Sequence, residues 1–127
     1  MLKKTAVDFP EIAAQYSKNA EGVFEPTSYR ELYETSLDFA AALKQLGEPV
    51  GLISDNRKEW EQADMGIMAL GAVDVPRGCD ATLIDLQQIL SFTECAVVIA
   101  ENAAQIKKIV SVKSELPHLK TLISFED

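Results

Sequence analysis

From Phe24 onward, apolar residues fall into two kinds of run that alternate along the chain. The first kind has helical spacing. Tyr29, Leu32, Tyr33, Leu37, Ala40 and Leu43 form one stripe and predict a helix over TSYRELYETSLDFAAALKQLG. Ser28 and Glu31 carry the signature of a capping box, in which each side chain satisfies a free amide at the helix start, and Gly47 supplies a stop. The second kind is short and continuous. Val50 to Ser54, bounded by Pro49 and Asp55, is too brief for a helix and predicts a strand buried on both faces.

The alternation continues to the C-terminus. Trp60, Ala63, Ile67 and Leu70 predict a second helix, and Ala72–Val75, closed by Pro76, a second strand. Asp80 or Thr82 caps a helix carrying Leu83, Leu86, Ile89 and Leu90. Ala96–Ile99 predicts a third strand, and Asn102 opens a helix with Ile106, Ile109 and Val110 that ends before Pro117. Leu122 and Ile123 lie in a fourth strand.

Strand starts near Val50, Ala72, Ala96 and Thr121 are 22, 24 and 25 residues apart, with one helix in each gap. That rhythm implies βαβ units with right-handed crossovers. The expected class is α/β: a three-layer, doubly wound, mainly parallel sheet with helices on both faces. Residues 1–127 read as one domain, in which residues 1–26 form a lead-in helix and turn. Asn19–Val23 and Leu46–Val50 are clipped connections, read either as genuine short turns or as loops shortened by deletion.

A chain of 127 residues fits one domain or one piece of a larger protein, and it buries roughly two-thirds of its unfolded surface. The net charge of −8 argues against a nucleic-acid partner, which needs clustered positive charge, and against electrostatic docking on an anionic membrane. Cys79 and Cys95 make no CxxC and read as two reduced thiols of a cytoplasmic protein. The only histidine, His118, partners neither, so no Cys–His pair is expected. MLKKTAVDFPEIAAQY lacks the apolar core of a secretory signal, and no apolar run approaches a transmembrane length.

The chemistry-bearing candidates mostly have plainer explanations. There is no Walker A loop, no GxGxxG and no GxSxG. His118 beside Pro117 reads as a loop histidine, with no second ligand at metal spacing. Asp74 and Asp80 suggest an acidic pocket, but Asp80 is also explained as a helix cap. Asp55-Asn56-Arg57 stands where a strand meets a helix, a usual place for a ligand. The alternative is a structural turn, with Asp55 or Asn56 capping the helix, Arg57 and Lys58 solvated, Glu59 favouring the helix N-terminus and Trp60 anchoring the core. Local chemistry favours the structural turn. Arg77 likewise reads as a surface arginine in a turn rather than an anion contact.

Taken in order, these segments resemble one family. TSYRELYETSLDFAAALKQLG looks like the Thr-Tyr-x-Glu-Leu helix near the start of adenylate-forming (AMP-binding) enzymes, and VGLISDNRKEWEQADMGIMALGAVDVP looks like their next strand, helix and strand. Their Asn after the strand, Trp opening the helix, Gly-Ala-Val and Val-Pro stand here as Asn56, Trp60, Gly71-Ala72-Val73 and Val75-Pro76. ILSFTECAVVIAEN and LPHLKTLISFED fit as well, and the long-chain acyl-CoA synthetases (fatty-acid–CoA ligases) are the nearest match. The resemblance runs from about Phe9 to Asp127.

The resemblance implies an N-terminal fragment of an enzyme that activates a long-chain fatty acid with ATP and Mg2+ to acyl-AMP, then passes the acyl group to CoA. The family's Ser/Thr/Gly-rich phosphate loop, its adenine and ribose motif, its hinge and its late catalytic lysine have no counterpart in this chain. No catalytic, cofactor-binding or metal-binding residue is therefore carried over, and the fragment alone is expected to be inactive. The full-length enzyme would be cytoplasmic and able to associate peripherally with a membrane. Two other readings stand beside this one: a free-standing Rossmann-like module that binds a small ligand without catalysis, and a scaffold that associates through exposed edges.

Overall fold

The computed structural model describes residues 1–126. A short helix α1 (Leu2–Asp8) leads into strands β1 (Ala13–Lys18) and β2 (Phe24–Ser28), which pair antiparallel. Then follow α2 (Tyr29–Leu43), β3 (Val50–Ile53), α3 (Lys58–Leu70), β4 (Asp74–Arg77), α4 (Leu83–Phe92), β5 (Val97–Ala100), α5 (Ala103–Ser111) and β6 (Thr121–Ser124). Strands β3 to β6 form a parallel sheet in the order β4-β3-β5-β6. The doubly wound α/β architecture expected from the strand rhythm is the architecture found.

Burial explains the order. Every residue of β3 and of β5 is buried, so both take the centre, where helices cover two faces. Val50, Leu52, Val97 and Ile99 face one way and pack with Leu43, Ala63 and Ile67 of α2 and α3. Ile53, Val98 and Ala100 face the other way and pack with Leu86, Leu90 and Ile109 of α4 and α5. The edge strands β4 and β6 are only partly buried.

Helix starts follow their caps. Ser28 Oγ accepts from the Glu31 amide at 3.2 Å, and the Glu31 carboxylate accepts from the Ser28 amide at 2.7 Å, completing the expected capping box. Thr82 and Asp85 form a second box, which identifies Thr82 as the cap of α4 and leaves Asp80 exposed. Asn102 caps α5 through the amides of Ala104 and Gln105.

Three boundaries differ from the sequence pattern. The second strand is Asp74–Arg77, not Ala72–Val75, and Pro76 lies inside it. Gly71 ends α3 in the left-handed conformation (φ 78°), and Ala72 still donates to Ile67, so the helix end consumes residues that looked extended. Val73 and Arg77 accept from β3, so Pro76, one step out of phase, turns toward the open edge, where its missing N–H costs no ladder bond. The third difference is at the N-terminus. The lead-in helix is present, but the segment after it is a β-hairpin. Its turn is complete: Asn19 accepts from the amides of Glu21 and Val23 through its side chain. The connection from Leu46 to Val50 also closes, through Gly47 and a cis Glu48–Pro49 bond.

Helices α2 and α3 pack tightly at Gly66. A Cβ placed there would stand 2.8 Å from the Ser36 carbonyl oxygen and 2.9 Å from Phe39. Beneath α3, Asp74 meets Asp64. Burial first, then the hydrogen bond and charge of Asp64, push the Asp74 carboxyl up to about 7.

Two expectations follow from these contacts. Gly66→Ala forces the two helices apart and should cost about 1–3 kcal/mol in urea unfolding, with the fold retained. For Asp74 the unfolded chain ionises near 3.8 and the folded chain near 7. Protons are thus bound more tightly by the folded state, and stability falls as pH rises through that window, then levels off above it. Asp74→Asn should be the more stable protein at about pH 8, by about 1 kcal/mol once solvent screening is allowed for, and the gain should vanish by about pH 4. Urea midpoints measured across that range check it.

Candidate functional site

In this strand order the chain leaves β3 outward to β4, then crosses back to β5. Loops after β3 and β5 therefore diverge, and the crevice at their carboxyl ends is where open α/β sheets bind ligands. Ser54 and Asp55 follow β3, Gly78 and Cys79 follow β4, and Glu101 follows β5.

A single carboxylate bridges the crevice. Glu101 Oε2 accepts from Ser54 Oγ at 3.0 Å and from the Asp55 amide at 2.9 Å, tying the end of β5 to the end of β3. Asp55 Oδ1 in turn accepts from the Cys79 amide at 3.0 Å, which adds β4. Gly78 allows this approach: a Cβ there would sit 2.8 Å from Asp80 Oδ1 and 3.4 Å from Asp55 Oδ1. Behind Cys79, Lys108 Nζ donates to the carbonyls of Cys79 (2.9 Å) and Ala81 (3.3 Å), and Gln105 Nε2 donates to Cys79 at 3.4 Å. Burial chiefly, with the negative charges of Glu101 and Asp55 added, pushes the Cys79 thiol up, so it stays protonated at neutral pH.

The three residues of Asp55-Asn56-Arg57 act differently from one another. Neither Asp55 nor Asn56 caps α3; Arg57 holds that position without a side-chain cap, and Glu59 and Glu61 supply negative charge to the first turn. Asp55 lies two residues before the cap position, and its carboxylate accepts from the Cys79 amide instead. Arg57 is not solvated either. It bonds Glu59 and Glu126, both at 2.7 Å, and lies 5.8 Å from the centre of the Phe125 ring. Its pKa is raised by Glu59 first and Glu126 second. Trp60 is half-buried against the core and forms the floor of a cleft of about 840 Å³ between the hairpin and the start of α3, with Tyr16, Phe24 and Arg57 on its walls.

The remaining candidates separate. Asp74 begins β4 and Asp80 lies beyond its other end, so they form no shared pocket; the partner of Asp74 is Asp64. Arg77 is a surface residue 4.0 Å from Asp85. His118 is exposed, 3.9 Å from Glu94. Sequence reasoning missed Glu101, Gln105 and Lys108. Glu101 had a signal, since it directly follows the apolar run of β5 just as Asp55 follows β3.

Charge at this rim is mixed. Arg57 is paired with two carboxylates and Lys108 is held by two carbonyls, Asp55 and Glu101 are acidic, and Arg77 lines the same rim as an exposed cation.

Comparison with known proteins identifies the family. A profile described as AMP-binding enzyme matches residues 2–127. A chloroplastic long-chain-fatty-acid–[acyl-carrier-protein] ligase of Arabidopsis thaliana is 34% identical over 100 residues, covering 76% of this chain and 14% of that protein. A long-chain-fatty-acid–CoA ligase of Xenopus laevis is 27% identical over 131 residues, covering 100% of this chain and 18% of that one. This chain thus spans less than a fifth of either relative. Among solved structures, the N-terminal domain of FACL13 from Mycobacterium tuberculosis superimposes with a TM-score of 0.84 at 24% identity, over 98% of this chain and 32% of that chain. An anthranilate CoA ligase in complex with anthranoyl-AMP gives 0.86 at 23% identity, over 98% and 24%. At such identities the structures speak for the fold.

Proposed function

The chain belongs to the AMP-binding enzyme family, and from that membership we propose that it is the N-terminal subdomain of an ATP-dependent acyl-activating ligase whose substrate is a long-chain fatty acid. The observation that carries this reading is the family match across residues 2–127 in a chain spanning 14% and 18% of two fatty-acid ligases. The geometry supports the same division of labour. Arg57 and Lys108 are engaged internally, in keeping with phosphate contacts made by other parts of the enzyme.

In the whole enzyme a fatty-acid carboxylate attacks the α-phosphate of ATP, giving acyl-AMP and pyrophosphate. A thiol then attacks the acyl carbon, and AMP leaves as the thioester forms. Activation is needed because oxide is a poor leaving group from a carboxylate, whereas AMP is a good one; Mg2+ and basic groups offset the charge that gathers on the phosphates. This chain contributes framework to that reaction and is inactive by itself. The thiol acceptor in this reading is CoA. The Arabidopsis relative, named for an acyl-carrier protein, favours a second acceptor of the same chemistry. We place the enzyme in the cytoplasm, although that relative is chloroplastic.

ATP–pyrophosphate exchange tests the reading. The full-length protein, expressed from its complete reading frame, should exchange only when a fatty acid is present. Residues 1–127 alone should be slower by on the order of a thousandfold or more, as expected when phosphate and metal contacts are lost. Exchange by the isolated chain, or a reading frame that stops at Asp127, would overturn it in favour of a free-standing module. Product analysis with CoA and with acyl-carrier protein distinguishes the acceptors.

A further inference from the structure

Three loops far apart in sequence bring two carboxylates and a thiol to one point. An oxygen of Asp55, the sulfur of Cys79 and an oxygen of Glu101 all lie within 4.8 Å of one another. Two of the three are braced from behind. Asp55 Oδ1 is fixed by the Cys79 amide, and Glu101 Oε2 by Ser54 Oγ and the Asp55 amide. Asp55 Oδ2 is left without those donors, and Glu101 Oε1 has only the Asn102 amide group at 3.4 Å.

A fourth group, beside Cys79, has an unmet need. Gln105 is 7% exposed. Its amide nitrogen reaches the Cys79 carbonyl, yet its Oε1 is buried with no partner. A buried carbonyl oxygen without a donor costs about 1–3 kcal/mol, and native proteins resolve such an atom with water or an ion. Charge points the same way. Asp55 and Glu101 bring two negative charges, and Lys108, seated on the carbonyls of Cys79 and Ala81, brings one positive charge.

We infer that Asp55, Cys79, Glu101 and Gln105 form a binding site for a divalent cation of the zinc class, clasping the carboxyl ends of β3, β4 and β5. The donor set selects the ion. A thiolate among oxygen donors suits a borderline-soft metal and disfavours Mg2+ and Ca2+, which take oxygen alone. Four donors match the tetrahedral preference of zinc. In a tetrahedral shell neighbouring donor atoms stand roughly 3.3–3.7 Å apart, so the three donors of Asp55, Cys79 and Glu101, within 4.8 Å of one another, close with about 1 Å of side-chain movement. The amide and hydroxyl donors behind the carboxylates hold their orientation, as outer contacts do at metal sites. Binding replaces the thiol proton with the metal; one proton passes to solvent, so affinity rises with pH. The site lies apart from the adenylation reading and stands or falls separately from it.

Cobalt(II) titration of the complete protein tests this, because a cobalt–thiolate bond gives a charge-transfer band in the near ultraviolet. The wild type should show that band saturating at one equivalent and losing it to Zn2+. Cys79→Ser should lack it, and Cys95→Ser, which alters a buried thiol beside Thr93, should keep it. Glu101→Gln retains an acceptor for Ser54 and Asp55 but drops the charge, and it should bind cobalt at least about tenfold more weakly. Zn2+ should also raise the Tm of the wild type and not that of Glu101→Gln, a readout that does not depend on how Cys79→Ser folds. No band in the folded wild type, an undiminished band in Cys79→Ser, unchanged affinity in Glu101→Gln, or no zinc effect on Tm would each overturn the assignment.

Discussion

Two strands that cannot face water organise this molecule. β3 and β5 bury every residue, and their side chains alternate between two apolar layers. Neither strand can be stable until helices cover both faces, so α2 and α3 must settle on one side and α4 and α5 on the other. The outward step to β4 and the crossing back to β5 satisfy that need. The crevice at the strand ends is a by-product of the same turn in the path. Its residues meet because the core fixes the strands, and Glu101 then fastens two strand ends that apolar packing has already aligned.

Sequence pattern revealed the parts governed by local rules. Ser28 and Glu31 lie three residues apart and cap as their spacing says. Buried runs at β3 and β5 were legible because nothing but a strand fits so short an apolar stretch. β1 and β2 were not legible: AAQYSK is mostly half-buried and FEPTS mostly exposed, no apolar alternation marks either, and their pairing is decided by the turn at Asn19. β4 was placed early because Ala72 and Val73 look extended, whereas Gly71 and Ala72 finish α3.

The site was harder to see for a related reason. Arg57 looks solvated from its neighbours, and its second carboxylate lies 69 residues away at Glu126. Ser54 and Glu101 are 47 residues apart, and Asp55 and Cys79 are 24 apart. A search for ligands at fixed short spacing passes over such a set, because the spacing is that of whole βα units. In a parallel sheet, residues that follow adjacent strands are neighbours in space however distant in sequence. With β3 beside β5, that rule pairs Asp55 with Glu101, and the strand order it needs is not written in the local pattern.

The two edges of the main sheet differ in what they can accept. On β4, Pro76 turns outward and offers no N–H, and Asp74 begins the strand with a carboxyl group. An incoming strand would find a gap in the donor row there. β6, TLIS, contains no proline and keeps its outer amides. The sheet is thus terminated on one flank and extendable on the other. Any strand supplied by the rest of a longer polypeptide, or by a partner, meets a complete row of backbone donors only beside β6.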